Sequence, residues 1–232
     1  MKSPQNFLLS TGLSLLLSSA TLLADTMNAE EIAKKTYDAL DVQQSYAFDA
    51  IIVNHSDDDK NIHQVSVKVN RPDQLRVDVK GDILNRSNYL HNGIFTIYDH
   101  DKNYYLHLKT PKDIEKTLDT LFDKYEFKSP LAQLIYTDMD ERVKFDHSKN
   151  FGIVDLQGEE CHYIAFSDKR KEVHVWVTTG ENPRVKHYMI KDKTSKNNAS
   201  KSTTIYWKNS RTISPNDFVF SIPKNAQEVF IN

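Results

Sequence analysis

In the segment SYAFDAIIVNHSDDDKNIHQVSVKVNRPDQLRVDVK (residues 45–80), apolar and polar residues alternate in three successive runs. Tyr46, Phe48, Ala50 and Ile52 form the first run, Val65, Val67 and Val69 the second, and Leu75, Val77 and Val79 the third. A period of two puts every other side chain on one sheet face, so each run predicts a strand with one buried and one solvated side. Ser66 and Lys68, then Arg76, Asp78 and Lys80, take the wet side. The acidic tip SDDDKN and Arg71-Pro72-Asp73 supply the turns. Further along, Asn92-Gly93 between YLH and IFTIYD is a strong hairpin signal, and HDKN leads into YYLHLK. The whole predicts a meander of about six antiparallel strands.

Helical spacing flanks this meander. Asn28 to Leu40 places Ile32, Ala33, Tyr37 and Leu40 on one face, and Asn28 with Glu31 has the spacing of a capping box. Pro111 to Glu126 predicts a second helix with Pro111 in its first turn and Ile114, Leu118, Leu121, Phe122 and Tyr125 on one face. Ser129-Pro130 opens a further helical piece carrying Leu131, Leu134 and Ile135. Strands then resume: FGIVDLQ and CHYIAFS around Gly158, KEVHVWVTT and RVKHYMIKD around GENP, STTIYWKN, and finally DFVFSIP. In KEVHVWVTT, Trp176 alternates with His174 against Val173, Val175 and Val177, and either face suits the core. No linker divides the chain. The expectation is a mainly β (α+β) fold: one large curled antiparallel sheet whose single buried face covers about three helices.

The N-terminus, MKSPQNFLLSTGLSLLLSSATLLAD, has a basic Lys2, an uncharged Leu- and Ser-rich stretch from Phe7 to Leu23, and small residues at Ala20 and Ala24. This is the pattern of a secretory signal peptide over residues 1–24, leaving residues 25–232 as a single exported domain. Cys161 is the only cysteine, so no intrachain disulfide forms, and it lies far from the cleavage region, so no lipid is attached there. The mature protein is therefore expected to be soluble and not lipidated, and periplasmic if the source is a Gram-negative bacterium.

Composition narrows the function. The 232 residues include 30 basic and 32 acidic side chains, a formal net charge of −2, which argues against nucleic acid as a partner. Apolar residues at 39% are enough for a core. Six Gly and no Gly-rich motif exclude phosphate-cradling loops, and no G-x-S-x-G, H-E-x-x-H or C-x-x-C is present. Asp57, Asp58 and Asp59, and Asp99 with His100 and Asp101, read as solvated turns rather than cation sites. Glu159-Glu160 near His162 reads as a polar turn before a strand, Cys161 as a buried small residue, and Lys191 to Lys201 as an exposed loop. No catalytic residue, metal or cofactor is expected.

The segments RPDQLRVDVKGD, NYLHNGIFTIYDHDKNYY, a helix, SPLAQLIY, LQGEECHYIAFSD and VHVWVTTGENPRVKHYMI follow one another in an order that resembles domain-of-unknown-function family 2092, a family of predicted periplasmic proteins. The resemblance runs from about Ala29 to Ile222. That family is similar to the LolA-like superfamily, which includes the lipoprotein carrier LolA, its receptor LolB and the regulator RseB. The resemblance implies an incomplete β-barrel around helices, with a hydrophobic cavity for acyl chains. It transfers no site residue by residue.

Two functions follow as expectations. One is a non-enzymatic carrier for a lipid, a lipoprotein acyl chain or another hydrophobic ligand, held between sheet and helices under a lid at Pro111 to Tyr136. Its candidate lining, with the strand members chosen by sheet parity, is Phe48, Ile52, Val77, Leu118, Leu121, Phe122, Leu134 and Trp176. The partners would be a lipid or acylated protein, with transient membrane contact. The other is a protein-interaction or sensor module with a packed core and a periplasmic protein partner.

Overall fold

Asn28 starts the first helix as its spacing predicts. Its side chain accepts from Glu31 N at 2.9 Å while the Glu31 carboxylate accepts from Asn28 N at 2.9 Å. The computed structural model describes residues 27–57, 59–209 and 213–231; the expected signal peptide and Asp58 lie outside them. Helix α1 spans Ala29–Asp41 and is followed by β1 (Ser45–His55), β2 (Lys60–Asn70), β3 (Gln74–Gly81), β4 (Asn85–His91), β5 (Ile94–Asp99) and β6 (Tyr104–Lys109). Then come α2 (Ile114–Tyr125), a single 3-10 turn (Ala132–Leu134) and the short α3 (Met139–Arg142). A second meander follows: β7 (His147–Asp155), β8 (Glu160–Ser167), β9 (Lys171–Thr178), β10 (Val185–Asp192) and β11 (Ser200–Lys208). The chain ends with a 3-10 turn (Pro215–Phe218) and the two-residue β12 (Gln227–Glu228).

Among the described residues, twelve strands form one unclosed sheet in the order β12-β6-β5-β4-β3-β2-β1-β11-β10-β9-β8-β7. Every neighbouring pair is antiparallel except β12 with β6. The mainly β class and the single curled sheet over helices are as the alternation predicts. Register puts the predicted apolar series on one face: Phe48 opposite Val67 and Ala50 opposite Val65, then Val67 opposite Val77. That face carries the core, in which Ile32 and Leu40 of α1 and Ile114, Leu118 and Leu121 of α2 join Phe48, Val65, Val67, Leu75 and Val77. Helices α1 and α2 each have one apolar stripe, so each lies on the sheet's apolar side.

Three predicted elements differ from what is observed. Pro111 precedes α2 rather than starting it, because Asp113 takes the cap and its carboxylate accepts from Lys116 N at 3.0 Å. The helical piece after Pro130 is one 3-10 turn. DFVFSIP is not a strand of the meander; it forms the last 3-10 turn and an extended strap across the outer face of the sheet. Phe218 is buried, and the Phe220 ring sits 5.5–5.8 Å from the rings of Tyr89, Tyr98, Tyr105 and His107. The strap leaves the ladder because these aromatics offer it a packing site that further strand pairing does not, and it returns only as β12 beside Tyr104 and Tyr105.

Both sheet edges are blunted. β12 covers β6, and β7 is broken by a bulge between Asn150 and Ile153 at Gly152, whose φ is +93°. Gly81 is required by close approach instead: a Cβ there would lie 2.4 Å from the Ile62 carbonyl oxygen and 2.6 Å from the His63 ring. Gly81→Ala is expected to cost about 1–3 kcal/mol in denaturant unfolding, as overpacking does, whereas unchanged stability would mean that β2 and β3 separate freely here.

Candidate functional site

The site lies at the seam between the helices and the sheet. Leu131 (φ +61°) turns the chain into residues 132–137, which cross over the apolar layer. Three successive carbonyls of this crossing each accept from a side chain of a different element. Tyr37 Oη of α1 donates to Gln133 O at 3.1 Å, Tyr46 Oη of β1 to Leu134 O at 3.0 Å, and Arg71 Nη2 of the β2–β3 turn to Ile135 O at 2.7 Å. Those side-chain donors take the place of the amides that would continue a helix, which is why the predicted helical piece stops after one turn. Arg71 also donates to Tyr46 Oη at 3.2 Å and pairs with Glu115 at 3.4 Å. Glu115 in turn accepts from both the backbone N and the hydroxyl of Thr137 at 3.0 Å. Gln133 donates to Tyr188 of β10, and Tyr136 donates to Asp119 of α2 at 2.8 Å.

Beneath this polar seam the layer is apolar. Phe48, Ile52, Val77, Leu118, Leu121 and Leu134 belong to one buried cluster that also contains Leu131 and Ile135. The remaining two candidate lining residues do not belong to it. Phe122 sits at the margin of the α2 stripe and is 49% exposed, with Lys128 Nζ 5.3 Å from its ring. Trp176 is on the outer face, stacked on Tyr163 at 4.6 Å and edge-on to His187 at 5.1 Å. Val177, Val175 and Val173 take the inner face instead, opposite Val185, Tyr188 and Ile190, because β-branched side chains pack well on a pleated surface. A crevice of about 10 Å³ opens along the layer, between Tyr37, Leu40, Leu134, Val185 and Trp207.

Sequence reasoning placed Tyr37 and Tyr46 in the core and Arg71 in a turn, and assigned the seam to none of them. The available signal was an arginine among strand-forming residues, beside a proline that ends a strand. Burial pushes the Tyr46 and Tyr37 hydroxyls well above the usual phenol range and Tyr188 up to about 12.

The polar clusters noted in the sequence have local partners. Asp99 pairs with Arg86 at 3.3 Å, and Asp101 accepts from Asn85 at 2.9 Å. Asp59 accepts from Asn61 and Asp57 from Asn198. Glu159 pairs with Lys186, while His162 is buried and Glu160 exposed. Cys161 is buried, and burial pushes its thiol up, so it stays protonated. In the Lys191 to Lys201 loop, Lys193 donates to Asp168 O at 2.8 Å. Among the described residues no group of three or more His, Cys, Asp or Glu is placed to hold a metal ion, and no helix is long and apolar enough to cross a membrane.

Ser87, at 2.8 Å from His100 Nε2, has the spacing of a nucleophile and its base. Its proton, however, goes to Asp78 at 2.5 Å, so His100 must donate to Ser87 and is not a base for it.

This geometry defines a class: an unclosed antiparallel sheet with one face under amphipathic helices and a hydrogen-bonded seam over the apolar layer. The chain belongs to the family described as "Predicted periplasmic protein (DUF2092)", whose model matches residues 29–232. An uncharacterized conserved protein from Thermus thermophilus shares the fold, with a TM-score of 0.50 at 14% identity over 87% of this chain and 98% of that one. A LolA superfamily protein from Nitrosomonas europaea is matched with a TM-score of 0.38 at 10% identity over 84% of this chain and 98% of that one. A chain of the Pseudomonas aeruginosa MucA/MucB complex is matched with a TM-score of 0.46 at 9% identity over 83% of this chain and 60% of that one. No protein of curated description matches in sequence.

Two outcomes follow from the seam. Arg71→Met should leave the fold intact but speed amide exchange of residues 134–137 by roughly tenfold or more, as local opening becomes easier. Unchanged exchange would show that Arg71 does not hold the crossing. The tyrosines set an alkaline limit. Their hydroxyls are held neutral by burial, so their contribution to stability is complete below the unfolded value of about 10 and is lost as pH rises above it. Tyr188, Tyr46 and Tyr37 should therefore ionise only with unfolding above about pH 10, as followed by phenolate absorbance. Ionisation without loss of near-ultraviolet dichroism would contradict this.

Proposed function

We propose that the protein is a soluble, non-enzymatic periplasmic carrier, exported by its N-terminal signal peptide, that holds acyl chains of a lipid or lipoprotein between sheet and helices. Residues 131–137 act as the gate. The observation that carries this reading is the seam: an apolar layer closed by a crossing segment whose carbonyls at 133, 134 and 135 are held by Tyr37, Tyr46 and Arg71. A permanent core needs no arginine there, because a hydrophobic residue of similar volume stabilises such a place as well or better. Hydrogen bonds that break and re-form suit a segment that opens.

The magnitudes are compatible with reversible loading. Exposing four aliphatic side chains, such as Leu118, Leu121, Leu134 and Ile135, costs roughly 6–12 kcal/mol at about 1.5–3 each. Burying a dozen methylenes of a ligand returns roughly 10 kcal/mol, at about 0.8 per methylene. In the loaded state the acyl chain covers these same side chains, so the exposure cost falls on the opening step and the ligand's burial supplies the affinity.

A second reading, a protein-interaction module, is favoured by one observation: the crevice along the helix–sheet layer measures only about 10 Å³.

Titration of the mature protein with a fluorescent fatty acid such as cis-parinaric acid tests the choice. Saturable uptake near one equivalent is expected, faster in Arg71→Met. Absence of uptake by both proteins, with both folded, would leave the interaction module.

A further inference from the structure

A groove of about 600 Å³ lies on the face of the sheet opposite the helices, across β11, β1, β2, β3 and β4. Its floor is the backbone at Ala50, Val65 and Val79, and the outward side chains of the same strands form its lining. Near one end the strap holds its place: Asp217 pairs with Lys68 at 2.7 Å, and Asp217 O accepts from Arg76 at 3.2 Å.

The polar groups of the floor are held in fixed positions. Asp49 accepts from Ser66 at 2.7 Å and from Lys208 at 2.7 Å through the same Oδ1. Asp78 accepts from Ser87 at 2.5 Å and from Arg76 at 2.8 Å. His100 closes the row on Ser87. A carboxylate offers about four acceptor positions, so Asp49 and Asp78 keep spare capacity, and Asn85, Gln64 and Lys80 line the same groove. Beside them on the same sheet face lie Tyr206, paired in register with Asp49, and Ile51, which are 48% and 38% exposed.

We propose that this groove is a binding site for a neutral oligosaccharide. Three features select that chemistry. The side chains are the planar carboxylates, amides, guanidinium and imidazole that can each both orient and bridge vicinal hydroxyls. The lining charges Asp49 and Asp78 stand against Arg76 and Lys80, and Lys208 on Asp49 adds a single positive charge, so the groove has no charge density that selects a polyanion or a polycation. Tyr206 and Ile51 give an apolar shelf for the C–H face of a sugar ring, beside the hydrogen-bonding groups that take its rim. The volume lies within the range of about 300–1,000 Å³ usual for small-ligand sites. An extended peptide is the less suited occupant: the strands beneath are already paired on both sides, so the groove offers no free backbone edge to a peptide's amides.

The site is independent of the helix–sheet layer, so it stands or falls apart from the carrier reading. Saturation-transfer NMR and calorimetry on the mature protein would use three probes: chitotriose, maltotriose and an uncharged extended hexapeptide. Saturable binding of at least one trisaccharide is expected. Tyr206→Ala and Gln64→Ala, both at exposed positions, should weaken it tenfold or more while leaving fatty-acid uptake and the melting temperature unchanged. Absence of trisaccharide binding in the folded wild-type protein would overturn the proposal, as would sugar binding that both variants retain in full. Binding of the hexapeptide alone, lost in those variants, would assign the groove to peptide and equally overturn it.

Discussion

Nine residue pairs, from Ala47 opposite Lys208 to His55 opposite Ser200, join the first strand of the chain to the eleventh. This pairing fuses two meanders into one sheet. β1 is therefore an interior strand, and its inward side chains sit at the centre of the buried layer. Phe48 is fully buried, 5.0 Å from the Trp207 ring across the junction and 6.4 Å from Tyr46 along its own strand. Closing a loop of this length is entropically costly, but the cost grows only slowly with length, and the aromatic cluster formed at the junction offsets it. Everything that lies on the inner face, α1 and α2 included, depends on the two meanders presenting one continuous apolar surface.

The same junction explains why the hydrogen-bonded seam lies where it does. The helical connection between the meanders runs from β6, near one end of the sheet order, to β7 at the other. Its return path must cross the inner face, and residues 131–137 make that crossing. A segment without a full helix leaves carbonyls to be satisfied by side chains, and Tyr37, Tyr46 and Arg71 do so. A fold that needs a crossing thus obtains, in the same residues, a closure held by a few hydrogen bonds over an apolar layer.

The strands were legible because alternation is a local property: Tyr46 to Ile52, Val65 to Val69 and Leu75 to Val79 all face inward as their spacing implies. The Asn28–Glu31 capping box was legible for the same reason. Trp176 was not, since His174 and Trp176 on one side and three valines on the other make two plausible faces, and only pairing with β10 decides between them. Phe122 was misplaced because a helical stripe has margins that sequence spacing does not mark. The final segment reads as a strand by composition, yet its place is set by the aromatic side chains of β4, β5 and β6, which are remote in sequence. The seam itself was illegible. It joins residues 37, 46, 71 and 115 to residues 133–137, and no periodicity records such a meeting.

The central claim is that the apolar layer opens to take a hydrophobic ligand, and the most direct test is native mass spectrometry of the protein isolated from its source cells, followed by organic extraction. The account predicts a bound lipid at near-stoichiometric amount, released on extraction. A clean ligand-free mass, with nothing extracted, would contradict it.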